Sequence, residues 1–343
     1  MRCLIIGQGI AGTVLAWTLH RRGIEIQVAD AGFPTTSSSI AAGIINPVTG
    51  KRFVKSWRFD DCYPFAKNVY HQMELAWGTS IWRDIPILRL LETPREINDW
   101  AARLSTPGYD QVMAESPSAG SWAGMLPPGL HFGITKNAAR VNFPVLLEKF
   151  NGLARSEGFH RSERIGPDEA IKMTAQFDFI IFCEGYRAIE NQLFPNLPWQ
   201  LSKGEAILLE LDHPDAIAVD QMLKKTLTLV PLGAGLFWAG ASFNWTFEDN
   251  GPTEAEQRFL EQRLADMVDV PWKVKKRHGA IRPTVKDRRP FLGASPVHPQ
   301  IYIFNGLGTK GGLLAPFWAS HLADHLLEGK PLDKEVDIRR FYS

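Results

Sequence analysis

The run Leu4-Ile5-Ile6-Gly7-Gln8-Gly9-Ile10-Ala11-Gly12 lies at the start of the chain, and Asp30 stands eighteen positions after its last glycine, just past the apolar segment Ile24 to Ala29. An apolar strand must here turn sharply into a helix, and glycine lets the backbone approach a pyrophosphate closely enough for the helix N-terminus to face it. An acidic side chain about 20 positions further on accepts hydrogen bonds from a ribose hydroxyl pair. A bare G-x-G-x-x-G is weak evidence, because glycine-rich turns are common; strand, glycines, helix and acid in register are far more specific. Residues 2 to 30 are therefore read as strand, helix and strand, half of a parallel Rossmann-type unit with Gly7, Gly9 and Gly12 at its phosphate turn. By itself the fingerprint suits NAD as well as FAD.

A chain of 343 residues, 45% hydrophobic and 22% charged, is long enough for two or three domains with a substantial core, which argues against disorder. The formal net charge of +1 gives no global field to draw in nucleic acid or an anionic membrane. Lys273 to Arg277 is the one basic run, and it reads more readily as a solvated face or strand edge. Cys3, Cys62 and Cys183 are odd in number and lack metal-ligand spacing, so neither a disulfide framework nor a metal site is expected. The apolar N-terminus is broken by its glycines and runs into Arg21-Arg22-Gly23, unlike a signal sequence. No apolar stretch reaches the roughly 18 residues that a membrane span needs. A cytoplasmic soluble protein is expected.

Further along, Thr35 to Ser39 reads as a loop leading into Ala41-Ala42-Gly43, Tyr63 to Trp77 as a helix, and Ile85 to Leu91 as a strand leaving the nucleotide domain. Proline, glycine and serine between Thr106 and Gly129 suggest irregular structure. Asn142-Phe143-Pro144 begins a helix through Phe150, and Phe177 to Cys183 is a buried strand ending at Glu184-Gly185, again parallel-sheet features. From Leu201 to Ala241 short strands alternate with turns, an antiparallel signature, and Thr253 with Glu256 forms a capping-box pattern for a helix to about Met267. A strand at Ile301 to Phe304, a glycine-rich turn and a helix from Leu313 to Leu327 finish the chain. The expected fold class is α/β, a Rossmann-type nucleotide domain with an inserted, mostly antiparallel α+β substrate domain. The expected division is 1–80, 130–195 and 275–343 for the former, 81–129 and 196–274 for the latter.

The turn Asn305-Gly306-Leu307-Gly308-Thr309-Lys310-Gly311-Gly312-Leu313 is a second backbone nest before a helix, whose partial positive charge would stabilise electron density on a bound cofactor. A glycine-rich connection serving only packing is the alternative. Together with the fingerprint, the Ser37 to Gly43 loop and Gly279-Ala280-Ile281-Arg282-Pro283 followed by Asp287 and Pro290, this turn resembles the D-amino-acid oxidase superfamily, in type the glycine oxidases. The resemblance implies an FAD-dependent oxidoreductase. It places Ile10 and Ala11 at the pyrophosphate, Asp30 and Ala31 at the adenosine ribose, and Ser37 and Ser38 near the phosphates. It places Ala42, Gly43 and Ile44 beside the flavin ring and Leu307, Gly308, Thr309, Lys310, Gly311, Gly312 and Leu313 around its pyrimidine side; Gly185 joins them as the glycine closing a parallel strand. The family's cysteine or histidine attachment points have no counterpart in these loops, so noncovalent FAD is expected.

Arg282 matches the family arginine that grips a substrate carboxylate, and a planar guanidinium suits a planar carboxylate. A strand-end arginine paired with Asp287 is the rival reading. A second family position, often arginine, is Thr309 here, with Lys310 adjacent to supply a charge. Trp245 and Phe247 fall on the strand that would face the flavin, although either ring could be core. Lys51, Arg52 and Lys55 read as surface cations. No catalytic acid or base is assigned, because positioning and the cofactor carry the chemistry in this family. The resemblance thus implies oxidation of the C–N bond of an amino acid or secondary amine acid, with oxygen or another electron acceptor. Two alternatives are an oxidase acting on a carboxymethylaminomethyl-modified wobble uridine of tRNA and a noncatalytic FAD-binding protein.

Overall fold

In the computed structural model, which describes residues 1–342, the first segment forms β1 (Arg2–Ile6), α1 (Ile10–Arg21) and β2 (Glu25–Ala29). Leu4 and Ile5 of β1 are buried on both faces, as a central parallel strand requires. α1 starts at Gly9 and carries His20 and Arg21 in its last turn, where cations complement the helix dipole. The hydroxyl-rich segment read as a loop instead winds into α2 (Ser37–Ile40). The Thr36 hydroxyl accepts from the Ser39 amide at 3.1 Å and the Ser39 hydroxyl from the Thr36 amide at 3.0 Å. Short strands β3 (Ile44–Ile45), β4 (Val48–Thr49) and β5 (Val54–Lys55) lead to α3 (Phe59–Trp77), which begins one turn before Tyr63 with Asp60 and Asp61 at its N-terminus.

β6 (Trp82–Asp84) and β7 (Ile87–Leu91) follow, then two elements that the sequence reading did not include: α4 (Pro94–Leu104), held by a complete Thr93–Glu96 capping box, and β8 (Met113–Ser116) inside the segment expected to be irregular. β9 (His131–Thr135), β10 (Ala139–Val141), α5 (Phe143–Ser156), β11 (His160–Arg161), α6 (Pro167–Met173) and β12 (Phe179–Phe182) come next. The antiparallel run comprises β13 (Ser202–Leu211), β14 (Met222–Lys224), β15 (Thr228–Gly233) and β16 (Leu236–Gly240). α7 (Glu254–Ala265), β17 (Trp272–Arg282), β18 (Phe291–Ala294), β19 (Ile301–Asn305) and α8 (Gly311–Glu328) complete the order. The α7 cap is half a capping box: the Thr253 hydroxyl accepts from the Glu256 amide, but the Thr253 amide donates to Glu205 Oε2 at 2.6 Å.

Two large sheets result. One has the order β11-β2-β1-β12-β19-β18, parallel except for the β18–β19 pair, and is packed against α1 and α8. The other has the order β17-β13-β16-β15-β14-β7-β9-β8, antiparallel except where β14 runs parallel to β7. β9 and β17 hydrogen-bond into this second sheet, although the segments 130–195 and 275–343 were expected to accompany the first. The basic run lies on β17, an edge strand, where Lys273, Lys275, Lys276 and Arg277 are exposed, a common guard against edge-to-edge pairing. Ala42, Ile85, Ala206, Val230 and Trp238 pack into one small cluster joining the two halves. Among the described residues no helix is long and apolar enough to cross a membrane.

Candidate active site

One cavity of about 520 Å³ runs from the β1–α1 turn to the buried C-terminal end of β17, where Ala280 and Arg282 line it. At its first end Gly7 has φ +101°, and a Cβ there would stand 2.6 Å from the Cys183 carbonyl oxygen. A Cβ on Gly12 would stand 1.8 Å from the Gly7 carbonyl oxygen. The turn is thus closed from behind by backbone, and only glycine fits. Asp30 braces it as well as facing the cavity: one carboxylate oxygen accepts from the Gln8 amide at 2.6 Å, the other from the Gly32 amide at 2.8 Å. The Ser38 hydroxyl accepts from the Ile10 amide at 3.0 Å and so ties α2 to the first turn of α1.

The N-cap residues of α1 and α8, Gly9 and Lys310, cap nothing with a side chain, and both first turns line the cavity through Gly9, Ile10, Gly311 and Gly312. They touch: a Cβ on Gly311 would stand 2.9 Å from Ile10 Cγ2. Helix N-termini present amide hydrogens and partial positive charge, here those of the α1 first turn beyond Ile10 and of the α8 first turn, which suits a pyrophosphate and an electron-rich ring. The bare glycine cradle, the carboxylate of Asp30 and these paired termini fit an FAD lying along the cavity. Cys183 also borders this end, and burial pushes its thiol well above the ordinary range, so it is held as an unreactive thiol. The neighbouring Glu184 carboxyl is likewise raised by burial, although the Asn191 amide donates to it at 3.0 Å.

At the other end the wall is the inner face of the second sheet. Gly204, Ala206, Thr228 and Gly240 make a floor of small residues, flanked by Trp238, whose indole N–H donates to the Ile40 carbonyl at 3.1 Å. Arg282 reaches over this floor. Its Nη2 donates to the Ser242 carbonyl at 3.1 Å, Nη1 lies 3.5 Å from the Lys203 carbonyl, and Phe243 sits 5.4 Å from the guanidinium. Gly204 makes the room, since a Cβ there would collide with Nη2 at 1.7 Å. Asp287 bonds Arg340 at 3.1 Å instead, and among the described residues Arg282 has no carboxylate within ion-pair distance. Burial lowers its pKa to about 10, the mark of a cation short of counter-charge.

The cavity brings together Gly7, Gly9, Ile10, Ala11, Asp30, Ala31, Ser37, Ser38, Ala42, Gly43, Ile44, Gly185, Leu307, Gly308, Thr309, Gly311, Gly312 and Arg282. Gly12 and Leu313 lie behind this lining. Lys310 is the N-cap residue of α8 and stands outside it, its ammonium lowered by burial and by Arg288 and Arg289. Trp245 is 48% exposed and packs edge-on against Phe243 at 4.7 Å; Phe243, two residues earlier, is the aromatic that borders the cavity. Phe247, Lys51, Arg52 and Lys55 do not border it, and Lys55 pairs with Asp60 at 3.0 Å. Sequence reasoning missed Lys224, Thr228, Trp238 and Phe243. The pair Lys224-Lys225 between two apolar strand runs was a usable signal; the others looked like ordinary strand residues.

Residues 2–325 match the family described as FAD dependent oxidoreductase. The chain is 24% identical to the tRNA 5-methylaminomethyl-2-thiouridine biosynthesis bifunctional protein of Idiomarina loihiensis, over 98% of this chain and 58% of that protein. It therefore spans little more than half of that relative's length. Among solved structures it is similar to iminodiacetate oxidase from Chelativorans sp., with a TM-score of 0.79, 20% identity and coverage of 99% and 98% of the two chains. It is also similar to glycine oxidase from Geobacillus kaustophilus, with a TM-score of 0.77, 18% identity and the same coverage. At these identities the structural likeness speaks for the fold.

Proposed function

This chain belongs to the FAD dependent oxidoreductase family, and from that premise we propose that it oxidises the C–N bond of an amino acid or secondary amine acid. The observation that carries the proposal is Arg282: a guanidinium without a carboxylate partner, on the cavity wall opposite the glycine turn. A substrate carboxylate would complete it. The proposal also draws on the similar solved structures, among them an iminodiacetate oxidase and a glycine oxidase.

In this reading the first sheet with α1 and α8 holds FAD noncovalently, and the second sheet shapes the substrate end. Gly7, Gly9 and Gly12 keep the phosphate turn free of side chains, Asp30 receives the ribose hydroxyls, and the first turns of α1 and α8 supply amide hydrogens. When bound, FAD supplies an acceptor for a hydride from the substrate carbon. The protein's part is placement: Arg282 fixes the carboxylate, Gly204 makes room for its guanidinium and Gly240 for the Trp238 ring, and Trp238 and Phe243 restrict water. A neutral amine that loses a hydride from carbon and a proton from nitrogen becomes an imine, which water hydrolyses to carbonyl and amine. Among the described residues no carboxylate borders the substrate end, so the amine proton would leave to solvent. Oxygen or another acceptor would take the electrons onward, in the cytoplasm.

The tRNA-related name of the 24% identical relative favours a second reading, in which the amine acid is carried on a modified wobble uridine. The test for both is anaerobic mixing of the FAD-loaded protein with a panel of small amine acids and with tRNA carrying the carboxymethylaminomethyl group. Bleaching of the flavin by small amine acids supports the first reading, and bleaching by the tRNA alone the second. A yellow protein bleached by nothing would be the noncatalytic flavoprotein. A protein that is colourless and cannot take up FAD would overturn all three.

A further inference from the structure

The floor of the substrate end is a single cross-strand row. Ala206 is paired with Gly240, Gly240 with Thr228, Thr228 with Lys224, and Lys224 with Arg89 across four successive strand pairs. Residues opposite one another across strand pairs project to the same face, so Lys224 stands on the cavity side, at the far end of the row from Arg282. Its ammonium has one hydrogen-bond partner, the Thr226 carbonyl at a long 3.4 Å, and among the described residues no carboxylate lies within ion-pair distance. Its neighbour in the row, Arg89, is no better satisfied. The Arg89 guanidinium lies 5.3 Å from the Phe53 ring, and its Nε is buried without a partner.

Two cations side by side in a wall without carboxylates is an arrangement that costs stability unless an anion completes it. Lys224 pays part of that cost in proton affinity: burial and the charge of Arg89 lower its ammonium to about 8. The acidic residues that do border the cavity, Asp30, Glu163, Glu184 and Glu190, belong to its nucleotide end. Glu96 is the acid that acts on Arg89, and it is occupied in capping α4.

We propose that Lys224 binds a second carboxylate of the substrate, so that the substrate is an amine diacid held by Arg282 at one end and by Lys224, backed by Arg89, at the other. Arg282 lies over Gly204 of β13, and β14 is three strands away, a backbone separation of about 14 Å. The lysine stem shortens that gap. A flexible amine diacid with several bonds between its carboxylates spans it, while the small floor residues leave room for its amine-bearing carbon. This assignment rests on the amine-acid reading above and narrows it.

The test uses the FAD-loaded protein and unreactive ligands first: α,ω-dicarboxylates from malonate to pimelate and the matching monocarboxylates, titrated while the flavin absorbance is followed. A diacid of matching length should bind about tenfold tighter than its monoacid, as one charge-assisted contact implies. Lys224→Met should remove that advantage, and Lys224→Arg should restore part of it. Equal binding of mono- and diacids at every length by the wild-type protein overturns the proposal, as does an advantage that survives in Lys224→Met. The wild-type length series decides the matter even if Lys224→Met does not fold. A Lys224-dependent preference shown only by organic phosphates would overturn the carboxylate assignment. Anaerobic bleaching separates this inference from the reading it rests on. Bleaching by amine monoacids as readily as by amine diacids sinks the second carboxylate alone, whereas diacid-selective binding without bleaching by any amine acid sinks the amine-acid chemistry and leaves the anion site standing.

Discussion

Gly12 carries a sharp test of the phosphate turn, because its backbone is ordinary and its constraint is steric: an added Cβ would meet the Gly7 carbonyl oxygen at 1.8 Å. Gly12→Ala should therefore cost about 1–3 kcal/mol of stability and sharply reduce the flavin-to-protein absorbance ratio of the purified protein. Gly152→Ala is the control. It lies in α5 with nothing near the added methyl, so it should be neutral or stabilising by up to about 1 kcal/mol, with flavin content unchanged. A second residue-scale prediction concerns pH. Lys224 titrates at about 8 and Arg282 at about 10, both lowered by burial. The groups facing Lys224 are Arg89 from β7 and Thr228 from β15, with Glu96 of α4 acting on Arg89, so no carboxylate offsets the shift. Dicarboxylate affinity should fall as pH rises through about 8, while monoacid affinity should hold until about 10. The folding term has the opposite sense. Lys224 is lowered in the folded state, so the unfolded chain binds more protons between about 8 and the ordinary lysine pKa, and its contribution to stability rises with pH there. Identical pH profiles for the two ligand classes would contradict this assignment.

α2 and α4 each begin with a complete capping box, yet only α2 touches the cavity, and the pair therefore separates helix stability from cofactor binding. Thr36→Ala and Thr93→Ala should each cost about 1 kcal/mol in thermal or denaturant unfolding. Only Thr36→Ala should also weaken FAD binding several-fold, measured by flavin fluorescence quenching. Ser38 of α2 holds the Ile10 amide at the mouth of α1, and the Ile40 carbonyl receives the Trp238 indole. Equal FAD affinities in the two variants would dissociate α2 from the site. These helices also show where the sequence was hard to read. Hydroxyl residues favour loops and N-caps alike, so Thr35 to Ser39 read as a loop although its serines and threonine close a turn. α4 was passed over although Ile97, Trp100, Ala101 and Leu104 recur at helical spacing on one face; the stripe is short, and only Trp100 in it is fully buried. By contrast β1, α1, β12 and α8 are apolar on nearly every side, and central position in a parallel layer was legible from that alone.

At the scale of the whole molecule, the nucleotide end of the cavity was legible because it is local: each glycine turn places its backbone within a few residues of a strand or helix that the sequence already marks. The substrate end is assembled across strands. Arg282 is placed over Gly204, and Lys224 is placed beside Thr228 and Arg89, by register in an eight-stranded sheet that no periodicity specifies. Hence Trp245 was picked out where Phe243 borders the cavity, and Lys224 was passed over. The same geometry makes FAD a link between the two sheets, since a single cavity touches β1 and α1 on one side and β13 and β16 on the other. A ligand that binds only the folded protein adds about 2.7 kcal/mol of stability at a hundredfold excess over its Kd. If FAD spans both halves, that gain should appear in both. Hydrogen exchange of the protein with and without FAD should slow in β1 and the first turn of α1, and also in β13 and β16. Protection confined to the first sheet would show that the cofactor stops short of the floor beneath Arg282, and would remove the second sheet from the flavin's surroundings.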